Sequence, residues 1–318
     1  MMYFILKTFK IVRWCIRKII KFFSFSNPYK ENWLFIKDFI DVYKMKQATG
    51  ALRERQLNIL NFATEVADLL EENGIQPILG YGALLGAKRH GGFIPWDDDI
   101  DFDLIREDFQ KVIKLAKEKY IYVKRPQNRF WNLNKQFDFE NDLMKKYPNT
   151  YIFLHAPSML QVYKGTSLKD YAIIDLFSLD YYAENYSYDN HKIYMKHIKR
   201  KVETINNYAK EVDFLQTEIQ SNPNIVKHSS KIMYGIDSDP SYTTAIQKGE
   251  WLDESDLYPL IKIKFENTEF SAPNNVEKFL KHRYGNWEEL PQNMVLDNHV
   301  RDINKYLQLR YGKNNIND

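Results

Sequence analysis

The chain has 318 residues, 44% hydrophobic and 27% charged, which excludes a disordered or collagen-like chain and leaves ample material for a core. Forty-five basic residues against 42 acidic ones give a net charge of +3, less than a dedicated nucleic-acid binder carries. A single cysteine, Cys15, excludes a disulfide scaffold or a Cys-rich zinc site and suits a reducing compartment.

Charge is uneven along the chain. Lys7, Lys10, Arg13, Arg17, Lys18, Lys21 and Lys30 fall in the first 30 residues, where no acid appears. On a helix the first six lie within an arc of roughly 140°. Ile5, Ile11, Val12, Ile16, Ile19 and Phe23 cover the other side. The pattern predicts a helix lying in the membrane interface, basic face toward anionic headgroups. It is too charged for a membrane span and lacks the apolar run of a secretory signal. The alternative is an amphipathic helix docked on the protein itself. Ser24 to Pro28 ends the helix. Residues 1–30 are therefore expected to form a membrane-interface helix and linker, and residues 31–318 the main domain.

A short helix is predicted over Asn32–Lys46 and a longer one over Leu52–Asn73, where Ile59, Phe62, Val66, Leu69 and Leu70 recur at helical spacing before Gly74. Gln76–Leu79 is a short extended stretch. Gly80-Tyr81-Gly82 then opens a short helix ending at Lys88-Arg89-His90. Backbone N–H groups at such a helix start can bind phosphate, and the three basic side chains are candidates to meet its oxygens. The spacing of Gly80, Gly82 and Gly86 does not fit the dinucleotide fingerprint.

Asp97 to Asp103 follows. Asp99, Asp101 and Asp103 alternate with Ile100, Phe102 and Leu104, the period of a strand with an apolar inner face and aspartates on an open one. Carboxylates two residues apart, about 6.6 Å along a strand, can converge on one cation. Without one they repel strongly. Hard oxygen donors select Mg²⁺ or Mn²⁺. An EF-hand loop from Asp97 fails, because Phe102 and Asp108 stand where Gly and Glu are needed. A further helix follows through Phe109, Val112, Ile113 and Ala116.

Residues 125–150 read as an irregular insertion. Strands are expected at Met159–Tyr163 and Tyr171–Leu176. Asp175 is one acid in an apolar strand, costly unless paired or metal-bound. Asp180 reads as a turn or cap residue. Residues 188–220 form a long helical stretch whose Lys196, Lys199, Arg200 and Lys201 mark a solvated face. Residues 221–250 are loop-like, and Val276–Tyr284 is the last helix. Tyr81, Trp96 and Tyr163 are candidates for stacking or for core packing.

Gly82-Ala83-Leu84-Leu85-Gly86-Ala87-Lys88-Arg89-His90, then Gly92 to Asp101, Ile174 to Asp180 and, more weakly, Tyr284-Gly285-Asn286-Trp287 to Pro291 resemble the LicD/fukutin-related phosphotransferases. The resemblance implies an α+β, nucleotidyltransferase-like mixed sheet flanked by helices, its core over about 57–182 and a variable helical part over 183–318. It departs at Ala83, where the broader nucleotidyltransferase pattern has Ser or Thr after the glycine. It implies transfer of a phospho-alcohol (phosphocholine, phosphoglycerol, ribitol phosphate) from a CDP-activated donor to a hydroxyl of a cell-surface or lipid-linked glycan, releasing CMP. Asp99, Asp101 and Asp175 would be catalytic. Asp97, Asp99, Asp101 and Asp175 would hold Mg²⁺ or Mn²⁺. Gly80, Gly82, Lys88, Arg89, His90 and Trp96 would bind the donor. The expected place is the cytoplasmic face of the cell membrane, bound peripherally to its anionic surface, with no nucleic-acid partner. The competing readings are an Asp-x-Asp glycosyltransferase and an inactive membrane-associated scaffold.

Overall fold

Helix α1 (Gly50–Glu72) presents Ile59, Phe62, Ala63, Val66 and Leu70 to the core from one face, as the helical spacing requires. It belongs to a computed structural model that describes residues 40–126, 133–166, 172–238 and 251–290. The chain divides into two units, residues 1–42 with 288–295 and residues 43–287 with 296–318. The elements below lie in the second. The predicted interfacial helix lies outside the described residues, as does most of Asn32–Lys46, whose described end holds only a 3₁₀ turn at Val42–Lys44.

After α1 come β1 (Ile78–Leu79), α2 (Tyr81–His90), β2 (Asp101–Ile105), α3 (Arg106–Lys119), β3 (Ile121–Lys124) and α4 (Leu133–Lys146). Next are β4 (Ile152–Ala156), β5 (Met159–Lys164) and β6 (Ala172–Tyr182). Helices α5 (Tyr188–Val202) and α6 (Tyr208–Ser221) precede β7 (Ile225–Val226) and β8 (Lys231–Tyr234). The described chain closes with β9 (Leu252–Asp253), α7 (Glu254–Leu257), the hairpin β10 (Ile261–Phe265) and β11 (Thr268–Ala272), and α8 (Val276–Tyr284). Among the described residues no helix is long and apolar enough to cross a membrane.

The main sheet runs β1-β2-β6-β5-β4-β3, with β7 and β8 on the far half of β6 and β9 beside β8. It is mixed: β2 pairs parallel with β6 and β3 with β4, while β1–β2, β4–β5 and β5–β6 are antiparallel. Helices α1 and α3 both pack against β6. Ile100, Phe102 and Leu104 are wholly buried, so the predicted inner face of β2 is as the alternation required. The expected α+β architecture is the one observed.

Several details differ from the sequence reading, and the stretch 221–250 read as loop-like contains the strands β7 and β8. Strand β2 begins at Asp101, so Asp97 to Asp99 lie in the loop before it. Its opposite face is not open: Asp101 and Asp103 are buried. The insertion at 125–150 contains helix α4, whose Phe139, Leu143 and Met144, with Tyr147 just after the helix, pack with Ile152, Leu154 and Tyr163 in a second small core. The basic stretch at 188–220 is two helices, the second started by Asn207, whose side chain accepts the Lys210 N–H.

Asp180 is neither a turn nor a cap. It lies within β6, fully buried, and accepts two hydrogen bonds from Arg106, at 2.6 and 2.9 Å. The same guanidinium reaches Asp237 at 2.6 and 2.8 Å and Ser178 Oγ at 2.7 Å. One buried arginine thereby clamps the start of α3 to β6 and to the loop after β8. Burial pushes the Asp180 carboxyl up despite Arg106. The Asp237 carboxyl is held below its usual range because Arg106 and Ser178 outweigh its burial.

Candidate active site

The sheet register assembles the acidic cluster. Asp101, the first residue of β2, is directly opposite Asp175 on β6. Neighbouring strands lie about 4.8 Å apart, so two carboxylates separated by 74 positions become close neighbours. The pairing extends upstream, where the Asp175 N–H donates to Ile100 O at 3.4 Å.

The loop that brings in Asp97 and Asp99 is braced by α1. Fully buried Gln56 donates from Nε2 to Asp97 O at 2.8 Å and Ile94 O at 3.4 Å. Arg55 Nε donates to Asp98 Oδ2 at 2.8 Å, in a buried ion pair. Asp98 is thus the structural acid of the run. Nothing in the sequence marks Arg55 and Gln56 for this role, because polar residues on a helix ordinarily face water.

Helix α2 starts against the same acids. The Gly80 N–H donates to Asp101 O at 3.0 Å. A Cβ at Gly82 would stand 2.7 Å from Asp97 Oδ2, and one at Gly80 2.8 Å from Asp103 Oδ2. Both glycines are required by close approach of a carboxylate to the backbone.

Electrostatically the acids act as one group. Burial, then the charges of Asp99, Asp175, Asp97 and Asp103, push the Asp101 carboxyl well up. Burial and Asp99 do the same to Asp97. Burial raises Asp175 to about 7, opposed by a hydrogen bond from Gln161 Nε2 at 2.8 Å and supported by the Asp99 charge. The Tyr284 hydroxyl, at the end of α8, is held above its usual range by loss of solvent and by Asp101, Asp97 and Asp99, against the pull of Arg283. Asp97, Asp99, Asp101 and Asp175 are therefore brought together, and Tyr284 joins them. Among the described residues, however, no three His, Cys, Asp or Glu side chains form a ready-made metal cage.

Lys88, Arg89 and His90 end α2, at the opposite end of the helix from the glycine turn. At 1.5 Å per residue, Lys88 lies about 10 Å along the helix from Tyr81. Its Nζ pairs with Glu277 at 2.9 Å. Arg89 is buried, and burial with the Arg89 charge lowers His90. A cation that does reach Tyr81 in the glycine turn is Arg283, whose guanidinium lies 4.1 Å from the Tyr81 ring centre and 5.3 Å from that of Tyr234. Its sequence signal was its place beside the terminal Tyr284-Gly285-Asn286-Trp287 motif. Tyr81 packs on Phe177 at 4.2 Å between ring centres, and Trp96 packs partly buried against the main core. Tyr163 is buried beside Arg125 and Glu140.

Residues 74–171 match the family model of the LicD/FKTN/FKRP nucleotidyltransferase domain. That stretch is similar to a LicD-type domain. That span holds the glycine turn, the aspartate run and β5, and Asp175 follows four residues beyond it. The chain is similar to the lipopolysaccharide cholinephosphotransferase LicD of Haemophilus influenzae, 48% identical over 69 residues that cover 22% of this chain and 25% of the relative. An uncharacterized protein of Rickettsia typhi is 28% identical over 174 residues, 48% of this chain and 56% of that one. The ribitol 5-phosphate transferase FKRP of Mus musculus is 48% identical over 46 residues, 14% of this chain and 9% of that one. The matches thus span between about a tenth and just over half of these relatives' lengths. The two relatives with stated activities are both transferases of an alcohol phosphate, and both matches are confined to short segments.

Proposed function

We propose that the chain is a metal-dependent phosphotransferase that moves a phospho-alcohol from a CDP-activated donor to a hydroxyl of a cell-surface polysaccharide or lipid-linked glycan, releasing CMP. The observation that carries the reading is the convergence of Asp97, Asp99, Asp101 and Asp175 beside the glycine turn of a LicD-type domain. The donor set fits Mg²⁺ or Mn²⁺: all its atoms are hard oxygens, and the groups that act most strongly on Asp101 are other carboxylates. Asp97, Asp99 and Asp101 would hold the ion, with Asp175 completing the set. When bound, the ion supplies charge neutralisation of the donor diphosphate and of the developing negative charge.

The chain's own contribution is positioning and electrostatics. The backbone N–H groups at the start of α2 face a donor phosphate at a helix N-terminus, and Arg283 stands over Tyr81 at the edge of that turn. Asp175, oriented by Gln161, is the carboxylate placed to accept the proton of the attacking hydroxyl, whose oxygen forms the new P–O bond as CMP departs with the old one. The basic segment 1–30 supports a peripheral place on the cytoplasmic face of the membrane, near lipid-linked acceptors.

Incubation with CDP-choline, CDP-glycerol, CDP-ribitol and CDP-ethanolamine, with Mg²⁺ or with EDTA, tests the reading by CMP release. Metal-dependent CMP release from one donor is expected, together with a phosphodiester product when a glycan is added. A glycosidic product with release of a nucleoside diphosphate from a nucleotide sugar would overturn it. So would the absence of metal-dependent CMP release from all four donors.

A further inference from the structure

On the far side of Asp175 from β2, a cavity of about 580 Å³ opens between β5, the β4–β5 turn, α4 and α6. Its volume lies within the range of small-molecule sites. Asp175 forms part of the wall, and the polar remainder is Arg125, Gln136, Ser158, Gln161, Tyr208 and Glu211.

This polar wall is built. Arg125, Gln161 and Glu211 are each more than nine-tenths buried. Arg125 Nη2 donates to Glu140 Oε1 at 3.1 Å and to Gln161 Oε1, and Gln161 Nε2 donates to Asp175 Oδ1 at 2.8 Å. A continuous hydrogen-bonded chain therefore runs Glu140–Arg125–Gln161–Asp175 from behind the cavity to the acidic cluster. Buried polar groups at this density are costly unless they serve a fixed arrangement.

The lining chemistry selects the occupant. A quaternary ammonium group is recognised by several aromatic faces around it. Among the described residues the lining offers one aromatic ring, Tyr208, and its charge is mixed, the Arg125 guanidinium standing with the carboxylates of Glu211 and Asp175. A polyhydroxylated group presents donors and acceptors in alternation, and the wall supplies both: N–H groups from Arg125, Gln136 and Gln161, carboxylate oxygens from Glu211 and Asp175, and hydroxyls from Ser158 and Tyr208. We propose that this cavity binds a neutral polyhydroxylated group, either the polyol end of the donor or the sugar of the acceptor, with one of its hydroxyls at Asp175. The inference rests on the transferase reading only for the role of Asp175. The cavity and its lining stand independently of it.

Calorimetric titration of the full chain in Mn²⁺ with CDP, CDP-glycerol, CDP-ribitol and CDP-choline tests the donor arm. Saturation-transfer NMR with methyl glycosides tests the acceptor arm. Gln136→Leu and Tyr208→Phe alter two lining side chains on separate helices and are checked for unchanged melting. Each is expected to weaken the polyhydroxylated ligand ~5–10-fold, as loss of one hydrogen bond does, and to leave CDP unchanged. Selective loss of CDP-polyol affinity assigns the cavity to the donor, and selective loss of glycoside signal assigns it to the acceptor. If every CDP-polyol and glycoside binds both variants as it binds wild type, or if CDP-choline alone is sensitive, the inference is overturned. Failure of CDP to bind, with glycosides still variant-sensitive, would sink the transferase reading and leave the cavity's role intact.

Discussion

Asp99→Asn separates the demands of folding from those of the proposed chemistry. Asp99 is the one acid whose charge raises Asp97, Asp101 and Asp175 together. Two ionised carboxylates about 5 Å apart repel by about 3 kcal/mol at an effective dielectric near 20. Proton uptake by the cluster and residual solvent reduce what the fold bears, so removing this charge should stabilise the metal-free protein by about 1–2 kcal/mol. For a domain of this size that is a rise of about 2–8 °C in melting temperature. A divalent ion reverses the order. At a hundredfold excess over its Kd an ion stabilises the protein that binds it by about 2.7 kcal/mol, and the variant loses most of that gain. The assay is thermal unfolding of both proteins in EDTA and in a Mn²⁺ series. The variant should melt higher in EDTA and lower in saturating Mn²⁺. A variant that melts lower in EDTA and keeps the full metal response would refute the claim that these acids form one repelling, cation-seeking group.

Further outcomes follow from the same geometry. Asp101→Asn should lower donor turnover by ~10²-fold or more, if charge stabilisation of the transferring phosphoryl dominates, while far-ultraviolet dichroism stays that of wild type. Arg106→Met strands the buried carboxylates of Asp180 and Asp237 and should cost about 3–5 kcal/mol in urea unfolding; a loss under 1 kcal/mol would contradict the clamp. Glu266, in the β10–β11 turn, accepts from Arg53 at 2.7 and 2.9 Å, and that bond holds its carboxyl below its usual range. A lowered pKa stabilises above the unfolded value near 4.5 and is lost as pH falls through the folded one, so Glu266→Gln should cost about 1–2 kcal/mol at pH 7 and next to nothing at pH 3. Deleting residues 1–26 should release the chain from anionic liposomes; undiminished binding would remove the interfacial-helix expectation.

What could be read from the sequence was what local spacing encodes. Helices α1 and α8 were legible because their apolar residues recur at one period and each ends on a glycine or an Asn-Gly pair. The inner face of β2 was legible because Ile100, Phe102 and Leu104 alternate without a break. Helix α4 was not, because its apolar positions are interrupted by Asp138, Glu140 and Asn141, and Glu140 is a buried partner of Arg125 rather than a surface charge. Asp180 was misread for a similar reason. Its partner, Arg106, lies 74 residues away, and an acid at the end of an apolar run looks like a turn until the sheet brings that cation alongside. Of the site, the glycine turn and the acids were legible. The bracing by Arg55 and Gln56 and the approach of Arg283 and Tyr284 were not, because each depends on contacts between distant helices and the strand edge.

The distribution of arginines separates two classes of acid in this fold. Asp98 is matched by Arg55, Glu266 by Arg53, Glu140 by Arg125, and Asp180 with Asp237 by Arg106. Each of those pairs joins elements that must stay fixed relative to one another, and a guanidinium suits the task because it remains charged and forks between oxygens. Asp101 is treated differently: the strongest influences on it are burial and four other carboxylates, all of which oppose its ionisation. A fold that supplies a buried or half-buried arginine to five other acids, and leaves its most crowded group without one among those influences, keeps a local instability that packing alone does not require. A cation bound to these oxygens in the working state would relieve that deficit without protonating them. Under the proposed function a divalent cation carrying a diphosphate would supply that relief through the same oxygens, and the reversal of melting order between EDTA and Mn²⁺ is the signature that would distinguish this origin from an incidental crowding of acids.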